Sequence, residues 1–115
     1  GHEPMMVLDQ KFNFDYVKST LPPMGLMTVK DEGFFKTTIL DISDKTILIY
    51  TDGVTEGYVD EGKELEVAGL ENEIKKLNST SPKIIINHAT KILTDKGFSL
   101  RDDITALGIS INNSN

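Results

Sequence analysis

The chain has 115 residues and a formal net charge of −6, and its 38% hydrophobic and 26% charged residues are ordinary usage for one globular domain. It has no cysteine and only two histidines, which excludes disulfide scaffolds, cysteine nucleophiles and thiolate or histidine-rich metal sites. The acidic balance argues against nucleic acid and anionic lipid as partners, and no apolar run approaches the roughly 20 residues of a membrane span. Because no secretion signal opens the chain, we expect a cytoplasmic protein that binds metal cations, metal-held nucleotides or other proteins.

The chain opens with two predicted strands. Residues 4–8 are apolar, and residues 11–17 alternate aromatic with polar side chains, which predicts a pair of strands joined by a turn at residues 9–10. Residues 19–25 contain two prolines and a glycine, so we expect a loop there.

A second hairpin is predicted over residues 34–51. Residues 34–42 are rich in β-branched and aromatic side chains, and residues 43–45 have the composition of a tight turn. Residues 46–51 are apolar on both faces, which is typical of a central strand that is covered on both sides. The following segment, residues 52–63, has three glycines and four carboxylates and is predicted to be a loop.

The second half of the chain begins with a predicted helix. It starts at about Val67, because Leu70, Ile74 and Leu77 recur at helical spacing, and Asn78 is a suitable stop.

A second helix and a last strand complete the predicted fold. The helix begins at Ser81-Pro82, where a capping residue precedes a proline in the first turn, and it ends at Gly97. Residues 104–111 predict the last strand. The order of four strands, two helices and a strand indicates an α+β fold, with a mainly antiparallel sheet and two adjacent helices on one sheet face.

Carboxylates occur at the ends of two predicted strands. Asp52 follows the most hydrophobic strand and precedes Gly53, whose missing side chain lets a ligand approach the backbone. Asp102 and Asp103 come just before the last strand, so Asp52 and Asp102 converge at one sheet edge if the two strands pair antiparallel. Carboxylates without histidine or cysteine form a hard oxygen site suited to magnesium or manganese, and a metal-bound water is a nucleophile for phosphate esters.

Simpler interpretations of the same residues stay open. By position alone, Asp52 is more often a turn residue with a local hydrogen bond, and residues 102–103 can simply be a loop. The acidic pairs at residues 31–32 and 60–61 are interpreted as solvated turn charges. We interpret His88 as packed or half-exposed in its helix rather than as a ligand. A hydroxyl nucleophile is unsupported because no base partner is evident.

Two segments together resemble a known enzyme family. Residues 46–56 (TILIYTDGVTE) and residues 101–104 (RDDI) closely resemble the carboxy-terminal half of PPM-type, metal-dependent serine/threonine protein phosphatases. The nearest branch is the bacterial SpoIIE/RsbU-type phosphatases of stress and sporulation control. Two weaker landmarks agree: Gly1-His2 resembles the end of the family's Asn-Ala-Gly-His segment, and residues 21–26 (LPPMGL) resemble its Gly/Pro loop.

The resemblance assigns roles to the strand-end residues. It implies that Asp52 and Asp102 bind the same metal ion, that Gly53 allows close approach, and that Asp103 orients a ligand or stabilises the loop. In the family, a binuclear manganese or magnesium centre activates a bridging water that attacks phosphorus directly, so no catalytic side chain is assigned. The implied fold is the carboxy-terminal portion of an α-β-β-α sandwich.

The sequence departs from the family pattern in two places. The family's metal-bridging aspartate lies in the first half of the domain, upstream of Gly1, so residues 1–115 are interpreted as a partial PPM-type phosphatase domain that is inactive alone. Half a sandwich exposes apolar strand faces and an open edge, which predicts a homo-oligomer, with exchange of strands between chains as one form. A smaller departure is residues 65–69 (LEVAG), where relatives usually have Phe-Gly followed by charged residues that open the helix.

Three hypotheses for function follow. The leading one is part of a phosphatase that hydrolyses phosphoserine or phosphothreonine on a regulatory protein, which in the family is an anti-sigma-factor antagonist. The second is a non-catalytic regulatory or interaction domain with the same fold, which an upstream aspartate-glycine after a strand would disfavour. The third is a receiver-like domain phosphorylated on Asp52; it ranks below the others because it needs alternating βα units and an acidic pair after an early strand.

Overall fold

The computed structural model describes residues 3–19, 36–95 and 103–111. Six strands lie within these ranges: β1 (Met5–Leu8), β2 (Phe14–Val17), β3 (Thr46–Tyr50), β4 (Tyr58–Asp60), β5 (Lys63–Glu64) and β6 (Ala106–Ser110). Three helices accompany them: α1 (Asp52–Thr55), α2 (Glu66–Leu77) and α3 (Pro82–Thr94).

The main sheet has four strands in the order β2-β1-β3-β6, and every neighbouring pair is antiparallel. The central position of β3 and the antiparallel sheet with two adjacent helices confirm the predicted α+β fold. An antiparallel sheet also lacks the alternating parallel βα units that the receiver hypothesis requires.

The first hairpin is confirmed, but its second strand begins later than predicted. The Asp9 carboxylate accepts the backbone N–H groups of Lys11 and Asn13 at 2.8 and 2.9 Å, which holds these residues in a turn. Phe12 has a positive φ of 62°, a conformation outside the β region. The strand therefore begins at Phe14 rather than at Lys11.

The predicted strand over residues 34–42 is wrong for the part that the structure describes. Residues 36–42 form no strand, and the Ile39 side chain is 94% exposed. Both edges of β3 are already occupied, by β1 on one side and β6 on the other, so no edge is left for a hairpin partner. Ser43 makes only an isolated parallel bridge with Ile111. Residues 34–35, and residues 20–25 of the predicted loop, lie outside the described ranges.

The hydrophobic core lies between one sheet face and the two long helices. The largest fully buried apolar side chains come from β1, α2 and α3, and they are Met6, Leu8, Ile74 and Ile85. Both helices are confirmed: α2 ends at Asn78 in the left-handed conformation, and α3 begins at Pro82. Gly97, the predicted end of α3, lies outside the described ranges. Within those ranges, no helix has the length and hydropathy of a membrane-spanning segment.

The prediction of a loop over residues 52–63 is wrong, because the segment contains α1 and the β4–β5 hairpin. Apolar side chains explain why this segment is ordered: Val54 within it and Leu65 just after it are both buried in the core. The Leu65 N–H also donates to the Gly57 carbonyl at 2.8 Å. A Cβ on Gly57 would lie 2.5 Å from the Leu93 side chain, so only glycine lets this segment approach α3 so closely.

Candidate metal centre

Asp52 is held at the end of the central strand. It directly follows β3 and begins α1, and its backbone carbonyl accepts the Glu56 N–H at 2.8 Å. Its side chain is exposed, and no hydrogen bond or ion pair joins its carboxylate to another described residue. Because β3 is buried in the middle of the sheet, the backbone of Asp52 is rigidly positioned while its carboxylate remains available to a ligand.

The last strand, β6, begins at the end of the sheet where β3 ends. The predicted antiparallel pairing is confirmed, since Tyr50 lies opposite Ala106. Beyond the strand ends, the Thr51 N–H donates to the Thr105 carbonyl at 3.0 Å, and the Thr51 hydroxyl lies 3.3 Å from the Asp103 carbonyl. These contacts join the residue before Asp52 to the backbone of Asp103.

Thr51 is a site residue that sequence reasoning missed in this role. Its hydroxyl accepts the Thr105 N–H at 3.2 Å and lies within donating distance of the Asp103 carbonyl. One side chain thus connects the two segments that carry the candidate ligands. A hydroxyl residue between a buried strand and an aspartate was the available signal, but its partner is 54 residues away in sequence.

The other predicted site residues have different outcomes. Asp102 lies outside the described ranges, so its convergence with Asp52 stays a prediction. Asp103 is exposed at the start of the segment that leads into β6. Gly53 is buried in α1 beside Val54. The close approach of a ligand to the backbone of Gly53 stays a prediction.

The donor chemistry at this sheet end suits a hard divalent cation. Carboxylate oxygens are ligands that magnesium and manganese prefer, and Asp52 after β3 and Asp103 before β6 bring exposed carboxylates to this end of the sheet. Among the residues that the structure describes, no three acidic, histidine or cysteine side chains form a metal-binding group. Asp52 is therefore the described candidate ligand, and it requires the undescribed Asp102 to form a pair.

The remaining acidic and histidine residues have structural partners. His88 Nε2 lies 2.8 Å from Glu73 Oε2, and both side chains are about three-quarters buried between α2 and α3. The hydrogen bond lowers the pKa of the Glu73 carboxyl. His88 is thus packed, as the sequence suggested. Asp60 accepts the backbone N–H of Glu61 at 2.8 Å in an exposed turn, as expected for a turn charge, whereas residues 31–32 lie outside the described ranges.

Comparison with known protein families identifies a match over most of the chain. A family model described as Stage II sporulation protein E (SpoIIE) matches residues 1–112. No curated protein and no solved structure matches the chain. The family match covers nearly the whole chain and confirms the resemblance that residues 46–56 and 101–104 indicate.

Proposed function

The chain belongs to the Stage II sporulation protein E (SpoIIE) family, which is related to PPM-type phosphatases, and on this premise we propose that it is part of a metal-dependent protein phosphatase. The proposed reaction is the hydrolysis of phosphoserine or phosphothreonine on a regulatory protein. The substrate class that fits this family is a phosphorylated anti-sigma-factor antagonist in bacterial stress signalling.

The observation that carries the proposal is the antiparallel pairing of β3 with β6. This pairing supports a shared position for Asp52 and for the aspartates that precede β6, because an antiparallel neighbour begins where its partner ends. The contacts between Thr51 and Asp103 extend the pairing beyond the strands. Such a sheet end presents carboxylates on a rigid support, which a metal site requires.

In the proposed site, Asp52 and Asp102 hold a manganese or magnesium ion, and their carboxylates neutralise part of its charge. The complete domain holds two such ions. A divalent ion at such a site supplies a water of lowered pKa and polarises a phosphoryl oxygen. Asp103 and Thr51 keep the two ligand-bearing segments in register, and Gly53 leaves room beside the ligands. The family's bridging aspartate has no counterpart in residues 1–115, so we expect these residues alone to be inactive.

A manganese titration by calorimetry tests the ligand assignment. We expect saturable binding by the chain and its loss in both Asp52→Asn and Asp102→Asn, because each substitution removes a charged oxygen ligand. Asp44→Asn is the matched control, since Asp44 is an exposed aspartate at the opposite end of β3. This variant should bind manganese as the unaltered chain does.

Two outcomes would count against the proposal. Binding that is unaffected by both substitutions would place the metal elsewhere, and no binding at any manganese concentration would mean that Asp52 and Asp102 do not form a metal site by themselves. Equal urea midpoints for all variants, measured without metal, would establish that any loss of binding comes from the missing carboxylate rather than from unfolding.

A further inference from the structure

The segment that begins at Asp52 turns back within a single helical turn. The Asp52 carbonyl accepts the Glu56 N–H at 2.8 Å, which closes this turn. The next residue, Gly57, is held from the other direction, because its carbonyl accepts the Leu65 N–H at 2.8 Å and Leu65 is buried in the core. Gly57 therefore joins the short helix α1 to a fixed point of the core.

Gly57 has no room for a side chain. A Cβ at this position would lie 2.5 Å from Leu93 Cδ2 in α3 and 2.9 Å from the backbone carbonyl oxygen of Gly53. Ordinary van der Waals contacts of a Cβ are 3.4–4 Å long, so both neighbours are too close. Gly57 does not have a positive φ, so the lack of space, and not the backbone conformation, requires glycine here.

The two neighbours of Gly57 differ in how far they can yield. Leu93 is 3% exposed and belongs to the 13-residue helix α3, which packs against the sheet, so its side chain has little free volume to enter. The helix α1 has only four residues, and Asp52 is the first of them. A Cβ on Gly57 would therefore push the carbonyl of Gly53, the residue directly after Asp52, by about half an ångström to restore an ordinary contact.

We propose that Gly57 is a positioning residue for Asp52: its missing side chain lets α1 close against α3, and this closure sets the position of the Asp52 carboxylate at the end of β3. The inference rests on the proposed function, in which Asp52 is a metal ligand. Ligands must be held within about 0.5 Å of their productive positions, which is the size of the displacement that a Cβ would cause. Replacing a residue that orients a ligand typically lowers metal affinity about 10- to 100-fold.

Manganese titration of Gly57→Ala tests this role. We expect the dissociation constant to rise at least about tenfold, because the added methyl group displaces the Gly53 carbonyl. Gly62→Ala is the matched control: Gly62 has a φ of +66° and no atom within 4 Å of a Cβ, so alanine strains the turn between β4 and β5 without touching α1. This control should lower the urea midpoint and leave the manganese affinity unchanged.

A second substitution separates positioning from general stability. Leu93→Val shortens the side chain that lies against Gly57, which gives the added methyl group room on the α3 side. The double variant should therefore regain manganese affinity relative to Gly57→Ala. Leu93→Val alone should lower the urea midpoint, because it removes a buried methylene, and should bind manganese as the unaltered chain does. If affinity instead followed the urea midpoint in every variant, Gly57 would have only a structural role.

Amide resonances of the metal-free chain test the displacement directly. Gly57→Ala should shift the amide resonances of Gly53 and Val54, and Gly62→Ala should leave them in place. Unchanged resonances in Gly57→Ala, or a manganese affinity equal to that of the unaltered chain, would overturn the proposal. If the unaltered chain binds no manganese, the assignment of Asp52 as a ligand fails, and the resonances alone decide whether Gly57 sets the position of α1.

Discussion

At the scale of single residues, Glu66 has the least favourable backbone conformation. It is the first residue of α2, and its φ is +59°. The preceding Leu65 is buried and hydrogen-bonded to Gly57, so the chain must turn sharply between β5 and the helix. A left-handed conformation costs an L-residue roughly 1–2 kcal/mol.

We predict that Glu66→Gly stabilises the chain by about 1 kcal/mol, because glycine adopts a positive φ without steric cost. The free energy of unfolding in urea measures the effect. Ala68→Gly is the control: Ala68 is exposed in the first turn of the same helix with helical backbone, where glycine should destabilise by up to about 1 kcal/mol. If both substitutions destabilise equally, backbone strain at Glu66 is not relieved by glycine.

At the scale of elements, β3 determines both the sheet and the candidate metal centre. It pairs with β1 and β6, its side chains enter the core, and its last residue precedes the Thr51-Asp52 segment. A strand with two neighbours cannot accept a third in the same sheet. This competition excludes residues 36–42 from the pairing that their composition favours, and it leaves most of them exposed.

We predict that Ile39→Pro changes the free energy of unfolding by less than about 0.5 kcal/mol, because Ile39 is exposed and outside the sheet. Ile47→Pro should cost about 3 kcal/mol or more, since it removes a ladder hydrogen bond inside β3. Urea unfolding compares the two variants. A large loss for Ile39→Pro would instead indicate that residues 36–42 pair as a strand.

At the scale of the whole molecule, hydrogen-bonded carboxyl groups make stability depend on pH. The pKa values of Asp9, Asp41 and Glu73 are lowered, chiefly by hydrogen bonds from Asn13, Ser43 and His88 respectively. Each lowered pKa contributes stability above the unfolded-state value, and this contribution is lost as the pH falls through the folded-state pKa. On the alkaline side, burial and the hydrogen bond to Glu71 raise the pKa of Tyr16.

We predict that the free energy of unfolding declines as the pH falls below about 4.5, where Glu73 of the unfolded chain binds a proton. It should decline further below about pH 3.8, where Asp9 and Asp41 of the unfolded chain do the same. It should also decline above about pH 10, where the unfolded state loses the Tyr16 proton first. Urea midpoints across this range test both limbs. Glu73→Gln should reduce the acid loss and Tyr16→Phe the alkaline loss, and unchanged slopes in these variants would contradict the assignment.

The sequence by itself determined the features that depend on local physics. Helix periodicity and end signals located α2 and α3, alternation located the first hairpin, and the apolar run before Asp52 identified the central strand. Asp52 at the end of that strand was predictable for the same reason. These features depend on side chains a few residues apart, which the order of residues records directly.

Only the tertiary structure decided which strands lie beside β3. Residues 36–42 and β6 both have strand-forming composition, but β1 and β6 occupy the two edges that β3 offers. The connection of Thr51 to Asp103 depends on the same choice, because it joins residues 52 positions apart. Each strand has two edges, and competition for them among distant segments depends on long-range packing, so no local pattern specifies the outcome.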